Sequence, residues 1–241
     1  MKNMILFSGI LILLVSIASS EILINQQPKE VYSLGDVINI PVTIKTLKDI
    51  TGVFEMNLIC NGREIDFYKN SVGLKAGEEQ RFEASLVLTE NVIGQAMGDC
   101  VIKSTLGEDF ILSNEFIISD FITVSVTNDI NEFDPGKFII IKGNAVKANK
   151  KEVEGFAEIE IIESNITEPI IEHIESINNG FFLANMSAPE NLKAGTYVVN
   201  VNAYEKDPDG KVTNKGFASH NILIKQVPAS LEIIFENQEV L

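Results

Sequence analysis

Residues 53–60 read VFEMNLIC, and apolar and polar side chains alternate along most of this stretch. The apolar members that share one side of an extended chain are Phe54, Met56, Leu58 and Cys60. A period of two is typical of a β-strand that buries one face and exposes the other. The stretch therefore predicts a half-buried strand rather than a helix.

Similar short segments, rich in Ile, Val and Phe, recur along the chain. They are residues 37–46, 80–88, 137–142, 156–163 and 196–204. Turn-forming pairs such as Asn61-Gly62 and Asn179-Gly180 separate them. No segment after the N-terminal apolar run keeps a helical period for ten residues. Short strands at this spacing predict an all-β, antiparallel fold.

The chain also resembles itself at an offset of about 100 residues. FEASLVLTENVIG at 82–94 aligns with FLANMSAPENLKAG at 182–195, and YSLGDVINI at 32–40 aligns with FDPGKFIII at 133–141. Two regions with nearly the same offset indicate duplication of one structural unit. We expect one unit at 21–119 and a second at 120–228.

Each unit has the size of a seven-strand Greek-key sandwich of the immunoglobulin-like type. Tyr197 begins a predicted strand two residues after the turn glycine Gly195. This placement is typical of a tyrosine corner, in which the hydroxyl bonds back to the main chain. Ala96 stands at the matching place in the first unit. We therefore predict two tandem Greek-key antiparallel β-sandwiches, with the tyrosine corner in the second.

The segment VGLKAGEEQ at 72–80 resembles tandem sandwich modules of archaeal and bacterial surface proteins, a group that includes adhesion-related and macroglobulin-like domains. AGTY at 194–197 followed by DPDGK at 207–211 is similar to the same group. The resemblance covers both units and implies a cell-surface setting with adhesive or spacer roles. The Cys-Gly-Glu-Gln thioester of protease-trapping macroglobulins is missing from residues 76–80, so the resemblance does not extend to that covalent activity.

The N-terminus has the form of a secretory signal peptide. Lys2 precedes an apolar run from Met4 to Ala18, and small residues follow at Ser19 and Ser20. The run is short for a spanning helix, so we favour cleavage near Ser20 over a retained anchor. We expect residues 1–20 to be removed and the protein to be extracellular or at the cell surface, with no later membrane span.

Cys60 and Cys100 are the two cysteines of the chain. In an oxidising compartment such a pair forms a disulfide more often than a metal site. In a Greek-key sandwich the two strands concerned are antiparallel neighbours, and parity points both thiols inward. We predict a disulfide; the alternative is two buried free thiols.

The charge balance excludes one class of partner. The chain has 34 Asp and Glu against 19 Lys and Arg, a formal net charge of −15. A nucleic-acid partner requires a positive footprint that releases phosphate counterions. The expected partners are instead other envelope proteins or surface glycans.

Calcium is the one cofactor that the carboxylates suggest. Asp207 and Asp209 resemble part of a calcium loop, and Asp129 and Asp134 lie in a polar stretch between the units. Hard cations prefer such closely spaced oxygens, but a solvated hairpin turn and a polar hinge explain the same residues more simply. We expect no cofactor, with these four aspartates as the calcium candidates.

The material for catalysis is sparse. His173 and His220 are the two histidines, and two ligands do not complete a metal site. No Gly-x-Ser-x-Gly turn is present in the sequence, and neither histidine neighbours a candidate nucleophile. We expect no catalytic residues and no enzyme activity.

Two tripeptides have the form of N-glycosylation acceptors, Asn165-Ile166-Thr167 and Asn185-Met186-Ser187. By parity, Asn185 lies opposite the face of Phe182, Ala184 and Met186. Chance alone accounts for two such tripeptides in a chain of this composition, so they are acceptors in form only, and parity leaves Asn185 free to be exposed.

Residues 229–241 read as the first strand of a third unit, just short of the turn glycine that Gly35 and Gly136 supply in the other two. Either the natural chain continues into further modules, which we favour, or this strand docks on a neighbouring molecule by edge addition.

These observations favour a non-catalytic secreted or cell-surface protein, a structural spacer or adhesion module of the cell envelope. The alternative is a non-catalytic, glycan-binding appendage of a larger secreted enzyme. Exposed aromatic platforms would favour the alternative, and the absence of Trp with only four Tyr favours the first.

Overall fold

The computed structural model describes residues 20–128, 131–164, 166 and 168–226. The predicted signal run up to Ser19, the strand at 229–241, Asp129 and Asn165 lie outside the described residues. Ser20, the last residue of the predicted signal segment, is the first residue of a strand and pairs with Thr46. The described residues contain no helix long and apolar enough to cross a membrane.

The first unit is built from strands with one short helical turn. They are β1 (Ser20–Ile24), β2 (Val31–Ser33), β3 (Val37–Thr46), β4 (Ile50–Cys60), β5 (Arg63–Leu74), β6 (Glu79–Val87), α1 (Glu90–Ile93), β7 (Gly98–Leu106), β8 (Asp109–Leu112) and β9 (Phe116–Ser119). The small sheet has the order β1-β3-β6, and the large sheet has the order β2-β9-β7-β4-β5, with β8 beside β7.

The second unit repeats this plan. Its strands are β10 (Ile122–Val126), β11 (Glu132–Phe133), β12 (Phe138–Lys147), β13 (Gly155–Glu163), β14 (Ile171–Ile177), β15 (Phe181–Ser187), β16 (Gly195–Lys206) and β17 (Val212–Ile224). The small sheet is β10-β12-β15 and the large sheet is β11-β17-β16-β13-β14. The predicted all-β sandwich fold is confirmed.

The opening segment of each unit contributes to both sheets. β1 pairs antiparallel with β3, whereas β2 pairs in parallel with β9. In the second unit β10 pairs with β12, and β11 pairs in parallel with β17. Pro28 lies between β1 and β2, where a residue without an N–H donor interrupts strand pairing.

The predicted alternation places the apolar side chains between the sheets. Fully buried residues include Phe54, Met56 and Leu58 in the first unit and Ile159, Ile161 and Val201 in the second. Phe54 of the large sheet meets Phe82 of the small sheet with ring centroids 4.9 Å apart. One hydrophobic cluster takes its buried residues from Ile22 to Ile118, and another takes them from Ile122 to Ile224.

The predicted tyrosine corner is present in the second unit. The Tyr197 hydroxyl donates a hydrogen bond of 3.0 Å to the main-chain oxygen of Lys193, and Tyr197 is 1% exposed. Burial raises the pKa of the Tyr197 hydroxyl, and the negative charge of Glu163 adds to this rise. The hydroxyl therefore stays protonated as a donor and ties the β16 strand to the preceding loop.

Candidate functional site

The two units are joined by a short connection. The β9 strand ends at Ser119 and β10 begins at Ile122, which leaves Asp120 and Phe121 between them. The Asp120 carbonyl oxygen accepts a hydrogen bond of 2.8 Å from the Lys215 main-chain N–H, and the Phe121 carbonyl oxygen accepts one of 3.1 Å from Ala148. Both connecting residues are thus bound to the second unit.

A glycine allows β17 to cross the start of β10. A Cβ atom built on Gly216 would overlap the carbonyl oxygen of Ile122. A backbone approach of this kind excludes every side chain larger than a hydrogen atom. Gly216 therefore lets the two sheets of the second unit meet directly beside the connection.

Asp36 of the first unit binds two side chains of the second. Its carboxylate accepts hydrogen bonds of 2.6 Å from the Asn149 amide and 2.6 Å from the Lys151 ammonium, and one of 2.9 Å from the Ser33 N–H. Its side chain is 11% exposed. Burial alone would raise the pKa of Asp36, but the hydrogen bonds from Lys151, Ser33 and Asn149 outweigh burial and lower that pKa. The carboxylate is therefore held in its charged form at the contact.

A second contact between the units is centred on Asn214, which is fully buried. Its amide nitrogen donates to the Leu34 carbonyl oxygen at 3.0 Å and to the Glu205 carboxylate at 2.7 Å. The Lys147 ammonium binds both oxygens of Glu205, at 2.9 and 3.2 Å. A buried charge pair with further hydrogen bonds keeps one geometry, since moving either partner leaves a desolvated charge. These residues position Asn214 toward the first unit.

A third contact lies on the surface of the same region. The Lys211 ammonium is 2.8 Å from the Glu90 carboxylate of α1, and both side chains are about half exposed. A groove of about 260 Å³ runs alongside, lined by both units through residues that include Leu34, Met97 and Thr213. We call the connection and these contacts the joint; it comprises Asp120, Phe121, Asp36–Asn149/Lys151, Leu34–Asn214 and Glu90–Lys211.

The outer face of the second unit's small sheet carries exposed apolar side chains. The exposed fractions are 64% for Phe138, 47% for Ile140, 45% for Phe181 and 50% for Leu183. We call these four residues the apolar face. A groove of about 440 Å³ opens beside them and is also lined by Phe133, Asn128 and Lys142.

The first unit has mostly polar residues at the matching register positions. Ile140 lies opposite Asn185, whereas Asn39 lies opposite Ser85 at the equivalent pair. Leu183 and Phe181 correspond to Glu83 and Arg81, and Phe138 corresponds to Val37. The repeat therefore supplies an internal comparison, in which one copy of the same sheet face is apolar and the other is largely polar.

An aromatic pair lies on the outer face of the second unit's large sheet. Phe156 and Tyr204 are directly paired residues, with ring centroids 5.7 Å apart and ring planes 34° apart. The Lys206 ammonium lies 5.2 Å from the Tyr204 ring centroid and 5.7 Å from that of Phe156. A groove of about 370 Å³ beside the pair is lined by Glu158 and Asn202. The outer face of this sheet thus combines two aromatic rings with polar side chains.

The predicted disulfide is present in the structure. Cys60 of β4 and Cys100 of β7 are directly opposite each other, with Cα atoms 4.2 Å apart, and their sulfurs are bonded. Both residues are buried in the first core. The bond thus links neighbouring strands of one sheet.

Two of the calcium candidates, Asp207 and Asp134, have partners within the protein, and a third lies outside the described residues. Asp207 accepts hydrogen bonds of 3.0 and 2.8 Å from the main-chain N–H groups of Asp209 and Lys211, which shapes a turn. Asp134 lies 3.6 Å from the Lys225 ammonium. Asp129 is outside the described residues. Within the described part of the chain, no three His, Cys, Asp or Glu residues are grouped so as to hold a metal ion.

The two histidines are on different strands. His173 lies on β14 and contacts Glu175 at 3.4 Å, and His220 lies on β17 and contacts Asn131 at 2.9 Å. β13 and β16 separate these strands in the sheet, which is about 14 Å at about 4.8 Å per strand. The structure therefore does not bring the imidazoles together.

Asn185 is exposed on β15, as parity predicts. No sequence pattern predicts the joint. Asp36 and Lys151 are 115 residues apart, and Leu34 and Asn214 are 180 residues apart. Each of these residues is an ordinary turn or strand residue in its own segment, and only the placement of one unit against the other brings them into contact.

No protein-family model matches the sequence, and no curated protein matches it. Among solved structures, a β-glucosidase from Listeria innocua in complex with glucose is similar over 42% of this chain and 16% of its own, with 22% identity and a TM-score of 0.34. A Salmonella α2-macroglobulin mutant is similar over 79% of this chain and 12% of its own, with 12% identity and a TM-score of 0.35. For the native conformation of the E. coli α2-macroglobulin, the coverage is 86% and 14%, the identity 11% and the TM-score 0.32.

The chain thus spans about an eighth to a sixth of the length of these proteins. Overlaps of this size assign neither an activity nor a substrate to it.

Proposed function

We propose that this chain is a non-catalytic secreted or cell-surface protein whose two sandwiches act as one rigid spacer of the cell envelope. The joint is the observation that carries the proposal. Its contacts involve the turn before β3 and α1 on the first unit, and on the second unit the segment after β12 together with β17 and the turn before it. Contacts at separated points restrict both bending and twisting between the units.

The character of these contacts supports a fixed geometry. Asn214 is fully buried, and the Glu205 side chain beside it is 11% exposed. Opening the joint would let water reach this network. It would also break the hydrogen bond from the buried Asn214 amide to the Leu34 oxygen. Hydrogen bonds in such desolvated sites are specific in direction, which favours one relative orientation of the units.

Small-angle X-ray scattering of the secreted chain tests the proposal. The parent protein should fit one fixed arrangement of the two units. The double variant Asp36→Asn, Asn214→Ala should give a larger radius of gyration and should require several arrangements. Asp49→Asn is the matched control, because Asp49 binds the Lys75 ammonium and the Ala76 N–H within the first unit alone. A parent protein that requires several arrangements would refute a rigid joint, and equal scattering of all three proteins would show that Asp36 and Asn214 do not hold it.

A second candidate function is a glycan-binding appendage of a larger secreted enzyme. The Phe156–Tyr204 pair favours it, because sugar rings pack on aromatic faces and the Asn202 and Glu158 side chains beside the pair can bind hydroxyl groups. A glycan array probed with the parent and with Tyr204→Ala tests this role. Phe110→Ala is the control, since Phe110 is exposed and lies under Lys103 at 5.7 Å in the first unit.

A further inference from the structure

The acceptor tripeptide at 185–187 lies on a fully described strand. Along β15, Asn185 and Ser187 point outward and Met186 between them is 4% exposed. The Asn185 and Ser187 side chains are both exposed. Both side chains that an oligosaccharide-transferring enzyme must reach are therefore on one open surface.

This tripeptide lies within the apolar face. Asn185 is directly opposite Ile140, and Ser187 is directly opposite Phe138. Leu183 precedes Asn185 by two positions on the same strand and points to the same side. The 440 Å³ groove is lined by Phe138, Ile140 and Leu183. A group attached to Asn185 would thus begin directly over exposed apolar carbon atoms.

The first unit lacks the acceptor, and most of its residues at the equivalent places are polar. Ser85 stands where the second unit has Asn185, and residues 85–87 read Ser-Leu-Val. Asn39 and Glu83 stand where the second unit has Ile140 and Leu183. The acceptor is therefore absent from the first unit, and the exposed apolar surface at the equivalent positions is reduced there to Val37 and Val87.

We propose that Asn185 carries an N-linked glycan whose first sugars cover the apolar face. In the transfer step, the Asn185 amide nitrogen bonds to the anomeric carbon of a lipid-phosphate-linked oligosaccharide and loses a proton. The bond from that carbon to the phosphate oxygen breaks, and the lipid phosphate leaves with the electron pair. The sugar C–H faces then pack on Ile140, Leu183 and Phe138, which removes apolar surface from water. The inference rests on export of the chain, which is part of the proposed function, and is independent of the joint.

Peptide mapping of residues 20–241, secreted from a eukaryotic host behind that host's own signal sequence, tests the attachment. Because the host signal supplies export, the result is separate from the proposed function. Release with peptide N-glycosidase in ¹⁸O-labelled water should convert Asn185 to labelled aspartate, and both Asn185→Gln and Ser187→Ala should abolish the label. A secreted, folded chain with an unmodified Asn185 would overturn the proposal.

Fluorescence of an apolar dye tests the coverage. Asn185→Gln should bind severalfold more dye than the parent, and Asn165→Gln should not. Adding Ile140→Asn and Leu183→Glu to Asn185→Gln copies the residues of the first unit and should return dye binding to the parent level. Equal dye binding by Asn185→Gln and Asn165→Gln would contradict a glycan that covers this face.

Discussion

The side-chain amide of Asn214 donates a hydrogen bond of 3.0 Å to the main-chain oxygen of Leu34, which is 180 residues earlier in the chain. The bond joins β17 of the second sandwich to the turn that follows β2 in the first. The same amide donates to the Glu205 carboxylate, which the Lys147 ammonium binds in turn. A spacer whose units keep one orientation requires contacts of this kind.

The first prediction concerns the charge of Asp36. Asp36→Asn keeps the size of the side chain but removes the charge that Lys151 and the Ser33 N–H bind. Hydrogen bonds to charged groups contribute about 1.5–3 kcal/mol, so we expect a loss of about 1–2 kcal/mol in the free energy of unfolding. Urea unfolding measures it. Asp49→Asn should lose much less, because its ion pair is exposed; equal losses would contradict the account.

The second prediction is a dependence on pH. The pKa of folded Asp36 is below its ordinary value of 3.8, so the unfolded chain binds a proton first as the pH falls. The stability that Asp36 supplies is present above the unfolded pKa and is lost as the pH falls through the folded pKa. The difference in unfolding free energy between the parent and Asp36→Asn should be constant above about pH 5 and should decrease on acidification below about pH 4. A difference that grows on acidification would be the opposite of this result.

The third prediction concerns the disulfide. Replacing Cys60 and Cys100 by Ala opens a loop with a sequence separation of 40 residues. The chain-entropy model gives a loss of about 4 kcal/mol in unfolding free energy. Denaturant unfolding with and without a reducing agent measures the effect. Reduction should lower the midpoint of the parent and leave the double variant unchanged; a parent insensitive to reduction would argue against the bond.

The fourth prediction concerns Gly216. Gly216→Ala places a Cβ against the Ile122 carbonyl oxygen, and overpacking of this kind costs about 1–3 kcal/mol. Gly73→Ala is the matched control, since Gly73 lies in β5 with open space around its Cβ position. Thermal unfolding should show a lower Tm for Gly216→Ala alone. A Tm equal to that of the control would mean that β17 and β10 do not meet as closely as described.

Much of the fold could be predicted from local pattern. The alternation in residues 53–60 predicts β4, and the self-alignment of Phe82 with Phe182 matches the register. Phe82 lies opposite Val42, and Phe182 lies opposite Gly143. The alternation and the self-alignment both depend on side chains within one strand pair, where burial repeats every two residues. Tyr197 was predictable from its position after the turn glycine Gly195, and the cysteine pair from parity on two neighbouring strands.

The joint could not be predicted this way. Asp36 follows a turn glycine and Asn214 lies in a mixed strand, and each has a sufficient local explanation. Their roles arise only where the surfaces of the two units come into contact. Hydrophobic periodicity within a strand carries no information about such a contact. The apolar face could be predicted in part. Alternation places Ile140 and Leu183 outward, but an outward apolar residue does not by itself indicate a function.

The most direct test of a rigid two-unit spacer is ¹⁵N relaxation of the main-chain amides of the protein. If the joint holds, amides of both units fit one rotational diffusion tensor, and Asp36→Asn combined with Asn214→Ala splits it into two faster, independent tensors. Two independent tensors in the parent protein would show that the units move freely and would contradict the account.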